Sequence, residues 1–161
     1  MHPVCQHPGL PPQFQARTST STKMWSPDVW VNGPWPEYEA AFEIFTDDVI
    51  PNMFGALQAD GRSIKPCRVH GGHWDENIGV NAEPGEPVVF DVWVFYAHNE
   101  YKLGMWRREA ILFNQSYIRQ YLLGLPPSES ASQWEDRNRL YSIMFNLGQS
   151  ISFPGPHRLK K

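Results

Sequence analysis

The chain has 161 residues, 41% hydrophobic, 14% aromatic and 19% charged, with a formal net charge of -3. A chain of this size buries about 70% of the surface that its unfolded form exposes, enough for one compact domain with a core of its own. The mildly acidic balance, with no Lys/Arg cluster, argues against a nucleic acid partner, because several cations are needed to neutralise a phosphate backbone. Cys5 and Cys67 are the two cysteines, too few for a disulfide framework and without the spacing of a cysteine zinc site. There is no basic-then-apolar leader and no run near the roughly 20 apolar residues of a membrane span, so a cytoplasmic protein with no membrane partner is expected.

Residues 1–36 hold seven of the fifteen prolines and three charges, Arg17, Lys23 and Asp28. Such a stretch buries too little apolar surface to offset its ordering entropy. It is read as a Pro-rich arm, disordered over 1–23 and irregular beyond, with Trp25, Trp30 and Trp35 laid across the body that follows. From Pro36 the period becomes helical: Tyr38, Phe42, Phe45, Val49 and Met53 recur at three- and four-residue steps. Pro51 interrupts this helix, and a shorter piece over 52–57 runs on to a turn at Asp60-Gly61.

Between residues 67 and 95 the apolar residues fall into short β-type runs. Asn77-Ile78-Gly79-Val80 and the run from Pro87 to Val92 read as the arms of a hairpin, with Gly85 in the turn. Downstream, Ile111, Tyr117, Ile118, Tyr121 and Leu122 predict a helix that stops at Gly124-Leu125-Pro126-Pro127. Ser132-x-x-Glu135 has the spacing of a capping box before a second helix through Trp134, Leu140, Tyr141, Met144, Phe145 and Leu147. Residues 156–161 form a small basic tail.

The chemistry concentrates in His70-Gly71-Gly72-His73-Trp74-Asp75-Glu76-Asn77, followed by Asp91 in the second hairpin arm. An amide oxygen from Asn77 and a carboxylate from Asp91 are hard ligands of the kind that Mg²⁺ with a nucleotide takes. Their plain alternative is a turn asparagine and a hairpin carboxylate with no ligand. The His70-x-x-His73 spacing also admits a transition metal, with His98 or Asp91 as a third ligand.

This run resembles the catalytic loop of the aminoglycoside-phosphotransferase-like kinases, and most closely that of the fructosamine/ketosamine-3-kinase branch, whose loop reads HGDLWxxN or HGDCWDGN. GRSIKPC ahead of the loop, the acid in FDV, and FYAHNEYKLGMWR, which is similar to FYGHNEYDLGNWR, extend the likeness over residues 37–155. The resemblance implies an α+β fold: a mostly helical, kinase-like C-terminal lobe over 37–155 whose hairpin carries the metal-site residues. It implies Mg²⁺ and ATP as cofactors, and transfer of the γ-phosphoryl group to the 3-hydroxyl of a ribulosamine or fructosamine on a glycated amine or protein. Asn77 and Asp91 match the Mg²⁺ ligands, His70 the histidine that braces the loop, and Trp74 the tryptophan near the sugar. Glu100 falls where it would line the substrate side or pack beneath it.

Two departures follow. Gly72 stands where the family has its catalytic aspartate, which accepts the proton of the attacking hydroxyl, a role worth typically about 10²–10⁴ in rate. His73 and Asp75 lie nearby but would point elsewhere. The residues before His70 also show no glycine-rich strand turn and no strand-borne lysine, so the expectation is a lobe whose N-lobe is missing. Nucleotide occupancy would then depend on that absent lobe. The alternative function is a non-catalytic, degenerate lobe that binds a protein partner through the exposed lobe interface, or one with no retained function.

Overall fold

The computed structural model describes residues 27–108 and 111–154. The expectations for residues 1–26, Trp25 included, and for the basic tail lie outside the described residues. The chain divides into two compact units, one formed by the described residues up to Arg62 together with those from Met144, the other by Ser63–Ile143.

In the first unit the segment expected to be irregular begins with a short helix, α1 (residues 27–32). Gly33, at φ +82, closes it by donating its N–H to the Val29 carbonyl at 2.8 Å, a left-handed stop that favours glycine. What α1 buries is Asp28, 2% exposed, whose carboxylate accepts from the Ser150 hydroxyl and from Asn32 Nδ2 at 3.2 Å. The two tryptophans expected to be sheltered are not: Trp30 is 86% and Trp35 49% exposed.

Helix α2 (Pro36–Ile44) starts on a proline, with Glu37 and Glu39 in its first turn, where a missing donor costs nothing and negative charge meets the helix dipole. It passes through a π-helical turn, Phe45–Val49, into α3 (Ile50–Gln58). The interruption therefore precedes Pro51. The wide turn admits the proline ring, which in an α-helical turn would strike the carbonyl four residues back. The extra residue also shifts the apolar stripe: the buried positions are Ile50, Phe54 and Leu57, one step on from the expected Val49 and Met53. A tight turn at Asp60 and Gly61, both at positive φ, ends the segment where the sequence placed it.

The second unit has two small antiparallel sheets. Strand β1 (Cys67–Val69) pairs with β4 (Phe95–Ala97), Val69 opposite Phe95. Strands β2 (Ile78–Val80) and β3 (Pro87–Val89) form the expected hairpin, Ile78 opposite Val89, with Gly85 at φ +82 in its turn.

After β4 comes a nine-residue 3₁₀ stretch, Asn99–Arg107, which buries Glu100, Tyr101, Leu103, Gly104 and Trp106. Burial at 100, 103 and 106 follows the three-residue turn of this helix, a period absent from the α and β patterns. Gly104 is required by close approach, since a Cβ there would lie 2.6 Å from the Tyr141 backbone. Helix α4 (Gln115–Gly124) starts later than expected because Asn114 caps it, its Oδ1 accepting from Ser116 N–H at 2.9 Å. Helix α5 (Trp134–Ser152) follows a 3₁₀ turn at Ala131–Gln133. Glu135, expected in a capping box, instead faces Arg107 Nη1 at 2.8 Å.

The core of this unit gathers Leu103, Trp106, Ile111 and Ile118, with Trp74, Phe113, Tyr121 and Trp134 packed against them. Leu103 and Ile118, 0% and 2% exposed, each contribute about 1.5–3 kcal/mol by full burial. Helices and small sheets together make an α+β chain. Among the described residues no helix is long and apolar enough to cross a membrane.

Candidate functional site

The loop between β1 and β2 is coiled by its own backbone. Gly72 N–H donates to the His70 carbonyl at 2.8 Å, Trp74 N–H to the Gly72 carbonyl at 3.0 Å, and Asn77 N–H to the Trp74 carbonyl at 3.0 Å. Gly71 sits at φ +74, and a Cβ there would lie 2.3 Å from the Trp93 carbonyl oxygen. Both the backbone angle and the space thus demand glycine.

Asn77 is buried, 7% exposed, and its Nδ2 donates to the Gly72 carbonyl at 2.8 Å. The donor end of the amide is thereby fixed, and its oxygen is the end able to face a cation. Phe90 N–H donates to the Asn77 carbonyl at 3.0 Å, which ties the end of β3 to the loop one residue before Asp91. Asp91 is exposed and adopts φ +54, a left-handed backbone that aspartate tolerates better than most residues.

Gly72 lies between these two. A Cβ at this position would meet Asn77 Nδ2 at 3.3 Å and the Asp91 carbonyl oxygen at 3.7 Å. The three positions singled out for metal and base chemistry therefore share one neighbourhood. One carboxylate and one amide oxygen suit Mg²⁺, which takes one or two carboxylates and completes its shell with water and substrate phosphates.

His70 belongs to the same neighbourhood through its backbone. Its carbonyl accepts from Gly72 N–H and, at 3.1 Å, from Trp93 N–H. The bracing is done by the peptide, and both ring nitrogens are buried without a hydrogen-bond partner. The His73 ring packs against Trp106 and Phe113, with centroids 5.4 and 6.0 Å away. Burial above all, then the Lys102 ammonium and the His70 ring, lower its pKa from 6.5 to about 4. Asp75 Oδ1 accepts from Leu112 N–H at 3.3 Å. Neither neighbour stands where a side chain at 72 would stand.

Trp74 is half-buried and packs on the core cluster, so one part of its ring is structural. Of the two expectations for Glu100, lining the substrate side is corrected and interior packing is what the structure shows. Glu100 is 0% exposed, Oε1 accepts from Ser128 N–H at 2.7 Å and Arg137 Nη2 at 2.9 Å, and Oε2 accepts from Arg137 Nε at 2.8 Å. A carboxylate wholly enclosed and bound on both oxygens has nothing left for a substrate. It anchors residues 128–137.

His98 is also excluded from a metal cluster with the loop histidines. Its ring nitrogens lie 2.7 Å from the Tyr141 hydroxyl and 2.8 Å from Ser128 Oγ. Burial first, with Arg137 adding to it and Glu100 opposing, lowers its pKa to about 4. Among the described residues no three His, Cys, Asp or Glu side chains are gathered as metal ligands.

Trp93 was missed by sequence reasoning. Its N–H and carbonyl clasp His70 and crowd Gly71, while its ring is 74% exposed. The available signal was its place two residues after Asp91. It joins an exposed apolar strip: Val80, Val88, Val89, Phe90, Val92, Val94 and Tyr96 are 43–72% exposed.

Comparison with known proteins bears on the same segment. The fructosamine kinase family profile matches residues 40–160. A protein-ribulosamine 3-kinase, chloroplastic, of Oryza sativa subsp. indica is 41% identical over 111 residues, 68% of this chain and 30% of that protein. The protein of the same name from Arabidopsis thaliana is 31% identical over 96 residues, 59% of this chain and 27% of its own length. The chain thus spans less than a third of the curated relatives it matches. With three quarters of its residues inside the family profile, the chain belongs to the fructosamine kinase family.

Proposed function

We propose that the chain is the C-terminal lobe of a ketosamine-3-kinase in which the metal ligands are kept and the catalytic base is lost. The reaction of such a kinase moves the γ-phosphoryl group of ATP to the 3-hydroxyl of a ribulosamine or fructosamine. An O–P bond forms at the sugar, the bond to the β-phosphate oxygen breaks, ADP leaves, and the hydroxyl proton goes to the base. In this chain Asn77 Oδ1 and the Asp91 carboxylate would hold Mg²⁺, which when bound neutralises phosphate charge. Asn77 is oriented for this by its bond to the Gly72 carbonyl. Trp74 would offer the exposed part of its ring to the sugar.

The observation that carries this reading is at Gly72: its missing side chain would point between Asn77 and Asp91, and no neighbouring carboxylate or imidazole takes its place. Phosphoryl transfer loses its proton acceptor there, a deficit of about 10²–10⁴ in rate. The test is calorimetric titration of MgATP into the chain and into Asp91→Ala. Binding that Asp91→Ala abolishes supports the metal site; equal binding by both proteins rejects it.

A second reading rests on the exposed strip. Its apolar residues resemble a surface that another protein element covers, which favours a non-catalytic lobe that docks a partner there. No MgATP binding by folded protein, together with concentration-dependent association in light scattering, would favour this reading. A cytoplasmic location belongs with either reading and is tested by imaging a tagged chain.

A further inference from the structure

The loop that lost an aspartate at 72 carries a histidine at 73, and this histidine has no part in the kinase reading. Two successive backbone turns, Gly72 N–H to His70 and Trp74 N–H to Gly72, curl the loop and bring the rings of His70 and His73 to a centroid separation of 5.4 Å. Both His70 ring nitrogens and His73 Nδ1 are buried and lack a hydrogen-bond partner. A buried polar atom left unpaired is costly, and three on two adjacent rings call for a common explanation.

We propose that His70 and His73 form a two-imidazole site for a late divalent transition-metal ion, Cu²⁺, Ni²⁺ or Zn²⁺. Two imidazoles bound at about 2.0–2.1 Å to one tetrahedral ion place their ring centres roughly 5 Å apart, which is the spacing found. Imidazole suits these ions and not Mg²⁺, so the pair is chemically separate from the oxygen ligands Asn77 and Asp91. The loop's own hydrogen bonds and the packing of His73 on Trp106 and Phe113 hold the rings in place, so little ordering entropy is lost on chelation. Lys102, whose ammonium lies 4.6 Å from the Tyr121 ring centre, opposes positive charge on His73 and so weakens the site.

The test is a titration of the full chain with CuCl₂ and NiCl₂, followed by quenching of tryptophan fluorescence, since Trp106 adjoins His73. ZnCl₂ is followed by calorimetry. Saturation at one equivalent is expected, with Cu²⁺ tightest. His73→Phe keeps the aromatic packing, and it and His70→Ala should each weaken binding at least about tenfold. Circular dichroism checks that the variants are folded. Unchanged affinity in both folded variants would assign the ion elsewhere, such as to His2, His7 or His157, and overturn the proposal, as would the absence of saturable binding. Should a variant not fold, X-ray absorption on the loaded parent chain decides: two imidazoles around the ion are expected, and one or none overturns the site.

Discussion

Glu100→Gln replaces one oxygen by an amide and removes a charge that is wholly enclosed. Glu100 and Arg137 are both 0% exposed and meet in a two-point pair at 2.8 and 2.9 Å. Gln keeps one acceptor but turns its NH₂ group toward a guanidinium that has only donors, and Arg137 retains a buried, uncompensated charge. Removing one partner of such a pair costs about 3–5 kcal/mol. For a domain of this size about 2–4 °C of melting temperature goes with each kcal/mol, so the midpoint should fall on the order of 10 °C. Arg137→Met should do the same. The double variant Glu100→Leu/Arg137→Met should lose much less than the sum, because no charge is then left stranded. Thermal unfolding by circular dichroism reads all three. A midpoint in Glu100→Gln within about 2 °C of the parent, accompanied by weaker sugar binding, would refute the structural role and return Glu100 to the substrate side.

Acid should loosen the same region. His98, 4% exposed, has its pKa lowered to about 4 in the fold against about 6.5 unfolded. Between those values the unfolded chain binds the extra proton, so His98's contribution is fully present above pH 6.5 and is lost as pH falls toward 4. The loss amounts to about 3 kcal/mol, and His98→Asn should flatten the fall of melting temperature over that window; an unchanged slope would count against it. Gly71→Ala should destabilise by at least about 2 kcal/mol, through a positive φ and a Cβ driven into the Trp93 carbonyl. An unshifted melting curve would contradict the loop geometry. Trp93→Ser, at an exposed ring, should leave stability within about 0.5 kcal/mol while reducing any concentration-dependent light scattering.

The hairpin was legible because turn residues flank two β-type runs and Gly85 supplies the left-handed position. So were α4 and α5, whose apolar residues keep the helical period. The π-helical turn at Phe45–Val49 was not, because one inserted residue moves the buried stripe without altering composition. Nor was the 3₁₀ stretch, whose period of three marks neither α nor β, or the charged pair inside it, which no local pattern announces: Glu100 meets Arg137 across 37 residues. At the site, Asn77, Asp91 and Gly72 were found through the family likeness and lie together in the structure. Trp93 escaped because its role is carried by backbone atoms, to which residue identity gives no clue.

The central claim is that Gly72 is the seat of a lost base beside a retained metal site. It is tested most directly by comparing phosphoryl transfer from MgATP to a ketosamine by the chain and by Gly72→Asp. The new side chain fits if Asn77 gives way by a few tenths of an ångström from its 3.3 Å contact. On folded protein that binds MgATP, the account predicts transfer by Gly72→Asp about 10²–10⁴-fold faster than by the parent. Equal, measurable rates with MgATP bound would contradict it.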